Sequence, residues 1–254
     1  MMILEGKNIT KIYGGKKDTT ATTALSSVSI KIEKGEFVAI MGPSGSGKST
    51  LLNMLSGMDK PTSGNIIINE KDISSMNDHS LASFKRKNIG FVFQDFNLLD
   101  SLTLKENIML PLILDGEKPE IMETRADEIM NRFGIAEIGE KYPCNVSGGQ
   151  RQRIAISRAL MNEPSIIYAD EPTGNLDSKS AKAIMSCFTK MNEEFNSTVL
   201  MVTHDAYAAS YANRILFIKD GNTHMEIVKK GTRKEFFENI LNCTAVIGGE
   251  SYEF

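Results

Sequence analysis

One join in the chain constrains the fold more than any other feature. Phe37-Val38-Ala39-Ile40-Met41 is an unbroken apolar run, the pattern of a strand buried on both faces of a sheet. It passes at once into Gly42-Pro43-Ser44-Gly45-Ser46-Gly47-Lys48-Ser49, and then into Thr50-Leu51-Leu52-Asn53-Met54-Leu55, which reads as a helix. The loop fits G-x-x-x-x-G-K-[ST], and it sits between the strand and helix that this pattern requires. Its glycines let the backbone curl until several N–H groups face one point, and the helix behind adds the positive end of its dipole. That arrangement is suited to phosphate. Lys48 reaches the β- and γ-phosphates of a nucleoside triphosphate, and the Ser49 hydroxyl is a ligand for Mg²⁺.

The remaining pattern predicts an α/β chain. Ile3 to Thr10 reads as a strand, and Val28-Ile30-Ile32 alternates as a half-buried one. Ile66-Ile67-Ile68, Ile89 to Phe93, Ser165 to Ala169, Thr198 to Val202 and Arg214 to Ile218 are further strands, the last closed by a turn at Asp220-Gly221. Lys16 to Thr23 is polar and reads as a hairpin tip. Between Leu98 and Leu160 the pattern turns mostly helical, interrupted by Pro111, Pro119 and Pro143, and Lys179 to Phe195 reads as an amphipathic helix. This is an α/β core with a helical insertion.

Composition excludes some classes. Hydrophobic residues make up 41% of the 254 and charged residues 24%, the ordinary globular mix. The net charge of −3 gives no sign of a nucleic-acid partner. No apolar run approaches the ~20 residues needed to span a bilayer, and the start lacks the basic and apolar regions of a signal peptide. A chain kept in the cytosol is expected, with Cys144, Cys187 and Cys243 as buried, reduced thiols.

Two further constellations bear on chemistry. Asp170 and Glu171 close the apolar run Ile166-Ile167-Tyr168-Ala169, at the strand end where ligands of open α/β sheets sit. Asp170 is suited to hold Mg²⁺ directly or through its water, and Glu171 to polarise an attacking water as general base. Ser147-Gly148-Gly149-Gln150 precedes a helical stretch running to Leu160. Taken alone it is either an N-cap with a flexible glycine pair or a second anion cradle.

Ser147-Gly148-Gly149-Gln150 resembles the signature motif of the ABC ATPases, and the rest of the chain, from about residue 3 to 230, follows that family's order. The resemblance implies a P-loop NTPase with a mostly parallel core sheet, an antiparallel β subdomain and an inserted helical subdomain. The core would comprise about 1–94 and 161–230, the helical subdomain about 95–160, and residues 231–254 a helical tail. It implies binding of Mg²⁺-ATP by residues 42–50 (Gly42, Pro43, Ser44, Gly45, Ser46, Gly47, Lys48, Ser49 and Thr50), with Tyr13 stacked on adenine. Gln94 would contact Mg²⁺ and the attacking water, His204 would sense the γ-phosphate, and Gly174-Asn175-Leu176-Asp177 would form the D-loop. Metal contacts would then come from Ser49, Gln94 and Asp170. Two such cassettes pair head to tail, so Ser147, Gly148, Gly149 and Gln150 of one copy would face ATP held by the other, which accounts for two anion cradles in one chain.

Within that family, Gly90-Phe91-Val92-Phe93-Gln94 and Asp170-Glu171-Pro172-Thr173-Gly174-Asn175-Leu176-Asp177 resemble the macrolide-exporter and lipoprotein-release group, while Phe93-Gln94-Asp95-Phe96-Asn97-Leu98-Leu99-Asp100 and Thr203-His204-Asp205, followed by Ala208-Ala209-Ser210-Tyr211, resemble more closely the bacitracin-resistance-type cassettes. The tail from Lys234 to Leu241, ending near Gly248-Gly249, points the same way. The resemblance implies a separate permease, often a sensor kinase, and a peripheral place on the cytoplasmic face of the plasma membrane. A non-transporting signalling complex of the cell-division-regulator type is the alternative. DNA-repair ABC proteins insert long coiled coils that this chain lacks, and ribosome-acting ones carry two cassettes. In the tail, Phe236, Phe237, Ile240 and Leu241 share a helical face, expected to pack on the chain's own core, with a partner-binding helix as the alternative. Lys48→Ala is expected to lose nucleotide affinity; unchanged ATP binding in a fluorescence titration would count against the phosphate-loop reading.

Overall fold

A computed structural model describes residues 1–14 and 20–248. Residues 16–19 of the expected hairpin tip at Lys16 to Thr23, and Gly249 at the end of the tail, lie outside the described residues. The chain divides into two compact units: the described residues of Met1–Leu81 and Thr198–Phe254, and those of Ala82–Ser197.

In the first unit, β1 (Met2–Tyr13), β2 (Thr22–Glu33), β4 (Ser63–Ile68) and β5 (Lys71–Asp72) form an antiparallel sheet in the order β2-β1-β4-β5. The β1/β2 register sets Leu4 against Ile32, Gly6 against Ile30 and Ile9 against Val28, so the alternating apolar residues share one buried face. Asn69 and Glu70, both at positive φ, make the tight β4/β5 turn. The same unit holds β3 (Phe37–Met41), β8 (Val199–Val202), β9 (Arg214–Lys219) and β10 (Asn222–Val228). β3 runs parallel to β8 on one side and to β9 on the other. Every residue of β3 and β8 is buried, as their unbroken apolar runs require. β10 folds back on β9 through Asp220 and Gly221, both at positive φ, the turn read from the sequence. The register of the parallel strands is pinned at their N-terminal ends. Asn213 accepts the Phe37 N–H at 3.0 Å, and Arg214 donates to both carboxylate oxygens of Glu36, at 2.5 and 2.9 Å.

α1 (Lys48–Leu55) follows β3, and α7 (Ala206–Ala209) follows β8. α8 (Arg233–Gly248) packs on α7 and belongs to this unit. Its buried stripe corrects the expected face. Phe236, Ile240 and Ile247 are buried and Cys243 half-buried, at i, i+4, i+7 and i+11, whereas Leu241 is exposed. Arg233 stacks over the Tyr211 ring at 4.3 Å, and Tyr207 and Tyr211 join hydroxyls at 2.9 Å, which fastens the start of α8 to the segment after His204. Burial and the Tyr207 hydroxyl push the Tyr211 pKa up to about 12.

α2 (Asp78–Asn88) leads into the second unit. There β6 (Ile89–Val92) pairs parallel with β7 (Ile166–Asp170), accompanied by α3 (Leu104–Asp115), α4 (Pro119–Arg132), α5 (Gly148–Leu160) and α6 (Ser178–Glu194). α5 packs on α3, α6 and β6, so the helical segment expected at 95–160 clusters with β6, β7 and α6. Pro119 opens α4 and Pro143 a short 3-10 turn, but Pro111 lies inside α3 and does not interrupt it. A capping box of Thr103 and Glu106, with Gly116 at the C-cap, fixes both ends of α3 strongly enough to hold the proline. Cys144 is exposed, against the expectation of three buried thiols, because it lies in that 3-10 turn; Cys187 is buried on α6. Among the described residues no helix is long and apolar enough to cross a membrane.

Phe236→Ala should lower stability by about 3 kcal/mol, the usual cost of emptying an aromatic core site. Leu241→Ala on the exposed side should change it by less than about 0.5 kcal/mol. Thermal unfolding of the two variants checks this, and equal losses would mean that α8 is not seated on the core.

Candidate nucleotide site

The phosphate loop is shaped by close backbone contacts. Gly42 has φ +153°, and a Cβ there would lie 2.0 Å from the Ile218 carbonyl oxygen. Gly47, at φ +101°, would meet the Ala24 carbonyl oxygen at 2.6 Å. Only glycine fits either position. Pro43, Ser44 and Gly45 form the exposed crown of the loop, while Ser46 and Lys48 are buried beneath it. Lys48 Nζ donates to the carbonyl oxygens of Gly42 at 3.0 Å and Pro43 at 2.8 Å, so its charge is held inside the loop. The buried Ser46 hydroxyl oxygen has no hydrogen-bond partner. α1 opens at Gly47 with no side-chain cap and no acidic residue in its first turn, and Ser49 and Thr50 lie in that turn. A helix N-terminus without a side-chain cap and a buried ammonium fit a polyphosphate.

The strand register places His204. Ile40 pairs with Val202, and the Thr203 N–H donates to the Ile40 carbonyl at 3.1 Å. His204 and Gly42 therefore each lie two residues past a paired position, at the same end of adjacent parallel strands. Asp205 caps α7 by accepting the Tyr207 N–H at 2.8 Å, which leaves His204 exposed at the turn. Tyr13, at the end of β1, is 42% exposed. Its hydroxyl donates to Asp59 at 3.2 Å, and Lys11 Nζ lies 4.9 Å from its ring centre. Burial acts to raise the Asp59 pKa, but hydrogen bonds from Lys11, the Lys60 N–H and Tyr13 outweigh it and hold the carboxyl low.

The second unit repeats the arrangement. Val92 pairs with Ala169, so Gln94 and Glu171 lie level at the ends of the parallel pair β6/β7. Glu171 has φ +45°, a left-handed turn that is strained for a residue with a side chain, and it swings the chain away directly after Asp170. Gln94 Nε2 donates to Asn175 at 3.2 Å, and Asn175 donates to Asp95 at 2.7 Å. A Cβ on Gly174 would lie 3.0 Å from Gln94 Nε2. The Gln94 loop and the Gly174–Asp177 loop are thus tied by side-chain amides.

Ser147 caps α5. Its hydroxyl accepts the Gln150 N–H at 3.3 Å, and the Gln150 side chain accepts the Ser147 N–H at 2.9 Å. Gly148 and Gly149 sit close against their neighbours: added Cβ atoms would lie 3.2 Å from Leu176 and 3.1 Å from Ser180, so those side chains would have to give by a few tenths of an ångström. The structure thus gathers residues 42–50 and His204 at one strand end of the first unit, where Tyr13 also belongs, and Gln94, Asp170, Glu171 and the Ser147–Gln150 turn in the second.

Three supporting residues carried no role in the sequence reading. Arg158 donates to the Phe96 carbonyl at 2.8 Å and the Asn97 carbonyl at 2.5 Å, and Arg151 stacks over the Phe96 ring at 5.0 Å. Burial lowers the Arg158 pKa. Gln152 reaches two backbone carbonyls from inside α5. These contacts join residues far apart in the chain, so no spacing announces them.

Comparison with known proteins agrees with this geometry. The profile of the ABC transporter family matches residues 25–174. An uncharacterized ABC transporter ATP-binding protein of Bacillus subtilis, YvcR, is 50% identical over all of this chain and 98% of its own length. The bacitracin export ATP-binding protein BceA of Halalkalibacterium halodurans is 46% identical over 98% of each chain. Among solved structures, a dimeric post-hydrolysis state of the ATP-binding cassette MJ0796 bound to ADP and Pi, from Methanocaldococcus jannaschii, matches with TM-score 0.82 and 43% identity, over 91% of this chain and all of that one. The chain belongs to the ABC transporter family, as an ATP-binding subunit with ATPase activity.

Proposed function

We propose that this subunit energises a separate membrane permease that moves antimicrobial peptides of the bacitracin kind. The observation that carries the catalytic part is the pair of level strand ends, Gly42 with His204 and Gln94 with Glu171. The transport part is supported by the 46% identity to the bacitracin export subunit. A sensor kinase acting through the permease belongs to the same reading, as does a peripheral place on the cytoplasmic face of the plasma membrane.

In this mechanism residues 42–50 wrap the phosphates, and Lys48 exchanges its loop carbonyls for β- and γ-phosphate oxygens. Tyr13 stacks on adenine. Glu171 takes the proton of the attacking water, Gln94 orients that water, and His204 holds the γ-phosphate. The donors offered to a cation are oxygens: the Ser49 hydroxyl, the Asp170 carboxylate and the Gln94 amide. That set fits Mg²⁺, which takes few protein ligands beside phosphate and water. Bound there, Mg²⁺ would neutralise charge on the β- and γ-phosphates. Two copies pair head to tail, and Ser147, Gly148, Gly149 and Gln150 of one close over the ATP of the other. The dimeric ADP-bound cassette MJ0796 supports this step.

Glu171→Gln should retain ATP binding while its kcat falls at least about a hundredfold, and it should accumulate as an ATP-dependent dimer in size-exclusion chromatography. Wild-type turnover by this variant would remove Glu171 from the role of base. When the subunit is reconstituted with its permease in vesicles, added bacitracin should raise ATPase activity. No response to any cell-wall-directed peptide would overturn the substrate class.

A further inference from the structure

We infer that Gln152 is a positioning residue that holds the two catalytic loops of the second unit to the helix that begins at the signature turn. This rests on the roles proposed for Gln94 and Glu171. Gln152 lies in the first half of α5 and is fully buried. Its Nε2 donates to the carbonyl oxygen of Pro172 at 2.7 Å and to that of Phe93 at 3.3 Å. Phe93 directly precedes Gln94, and Pro172 directly follows Glu171. One amide group therefore grips the main chain next to both residues.

The grip falls where the backbone needs it. Glu171 sits in a left-handed conformation, and the next peptide carbonyl, that of Pro172, is the one Gln152 holds. Phe93 ends the run from which the Gln94 loop departs. Beyond these anchors, the Gln94–Asn175 bond closes the pair of loops on each other. α5 carries Ser147 at its cap, so displacement of the signature turn along the helix axis is transmitted through Gln152 to both loops.

The acceptor end of the same side chain speaks against a purely structural purpose. Gln152 Oε1 is buried and has no hydrogen-bond partner. A buried, unpaired amide oxygen destabilises a fold, and an apolar side chain of the same size would avoid it. The two donor bonds are what the amide adds over such a side chain, and both go to the catalytic loops.

The test is Gln152→Met, which keeps the volume and removes both donors. In hydrogen exchange on the full chain, the segments 93–97 and 172–176 should exchange about tenfold faster, with the rest of α5 unchanged. In steady-state kinetics kcat should fall about tenfold or more while the KM for ATP moves by less than about twofold. Gln152→Leu, which also lacks the donors and is smaller, should give the same pattern and serves if the Met variant does not fold. Unchanged exchange at either segment overturns the inference, as does a loss of activity that only follows the fraction folded. Glu171→Gln measured in parallel separates the two readings. Normal turnover by that variant, beside a slow Gln152→Met with loosened loops, would dismiss Glu171 as base and leave the clamp standing.

Discussion

The carbonyl oxygen of Ile218 leaves no room for a Cβ on residue 42, and much of the nucleotide site depends on that contact. β9 lies beside β3 in a register fixed at the opposite end by Arg214, Glu36 and Asn213. The chain leaving β3 must therefore pass close over the β9 backbone, which glycine alone permits. Once past it, the chain curls over Lys48 and enters α1 through a second tight point, Gly47 against the Ala24 carbonyl. The Gly221 N–H then donates to the Ser46 carbonyl at 3.0 Å, closing the loop from the β9/β10 turn. The loop of residues 42–49 is held by main-chain contacts from β2, β9 and the turn after β9, and these do not depend on the rotamer of any side chain. Such a site is organised before its ligand arrives, so less binding energy is spent in ordering it.

Each unit solves the same problem in the same way. Parallel strands in register bring residues distant in sequence level with one another, and the residues just past the strand ends are free to adopt the conformations that chemistry needs. Gly42 and His204 are matched in this manner through Ile40 and Val202, and Gln94 and Glu171 through Val92 and Ala169. The strain at Glu171 is tolerable because β7 before it is wholly buried up to Ala169, and Pro172 after it is buried too.

The sequence disclosed whatever was encoded locally. Buried strands were legible as apolar runs, the loop of residues 42–49 as glycine spacing, and the α5 start as a capping Ser147 before a helical stretch. Features decided by distant neighbours were not legible. Pro111 is a different case: it was expected to interrupt a helix, and the caps that hold that helix, Thr103 with Glu106 and Gly116, are local signals that the reading passed over. The tail was read as a face of adjacent pairs, 236–237 and 240–241, whereas seating on α7 selects every third or fourth residue and leaves Leu241 outside. Cys144 followed the general burial of cysteine in the reading, but a short turn carries it to the surface. Gln152 stood in plain view within the signature stretch, yet its partners, Phe93 and Pro172, are set by tertiary packing.

The order of the chain adds a consequence for how the protein is made. The second unit is one continuous segment, Ala82–Ser197, all of it made before β8 and β9. The first unit is split. The antiparallel sheet of β1, β2 and β4 can form early, but β3 finds its parallel partners only when β8 and β9 arrive, after the whole second unit has been synthesised. Phe37-Val38-Ala39-Ile40-Met41 must wait unpaired through that interval, an apolar segment of strand character with both edges open. A nascent chain that stalls before β8 is made therefore carries β3 without its parallel partners, the form most prone to aggregate or to need a chaperone.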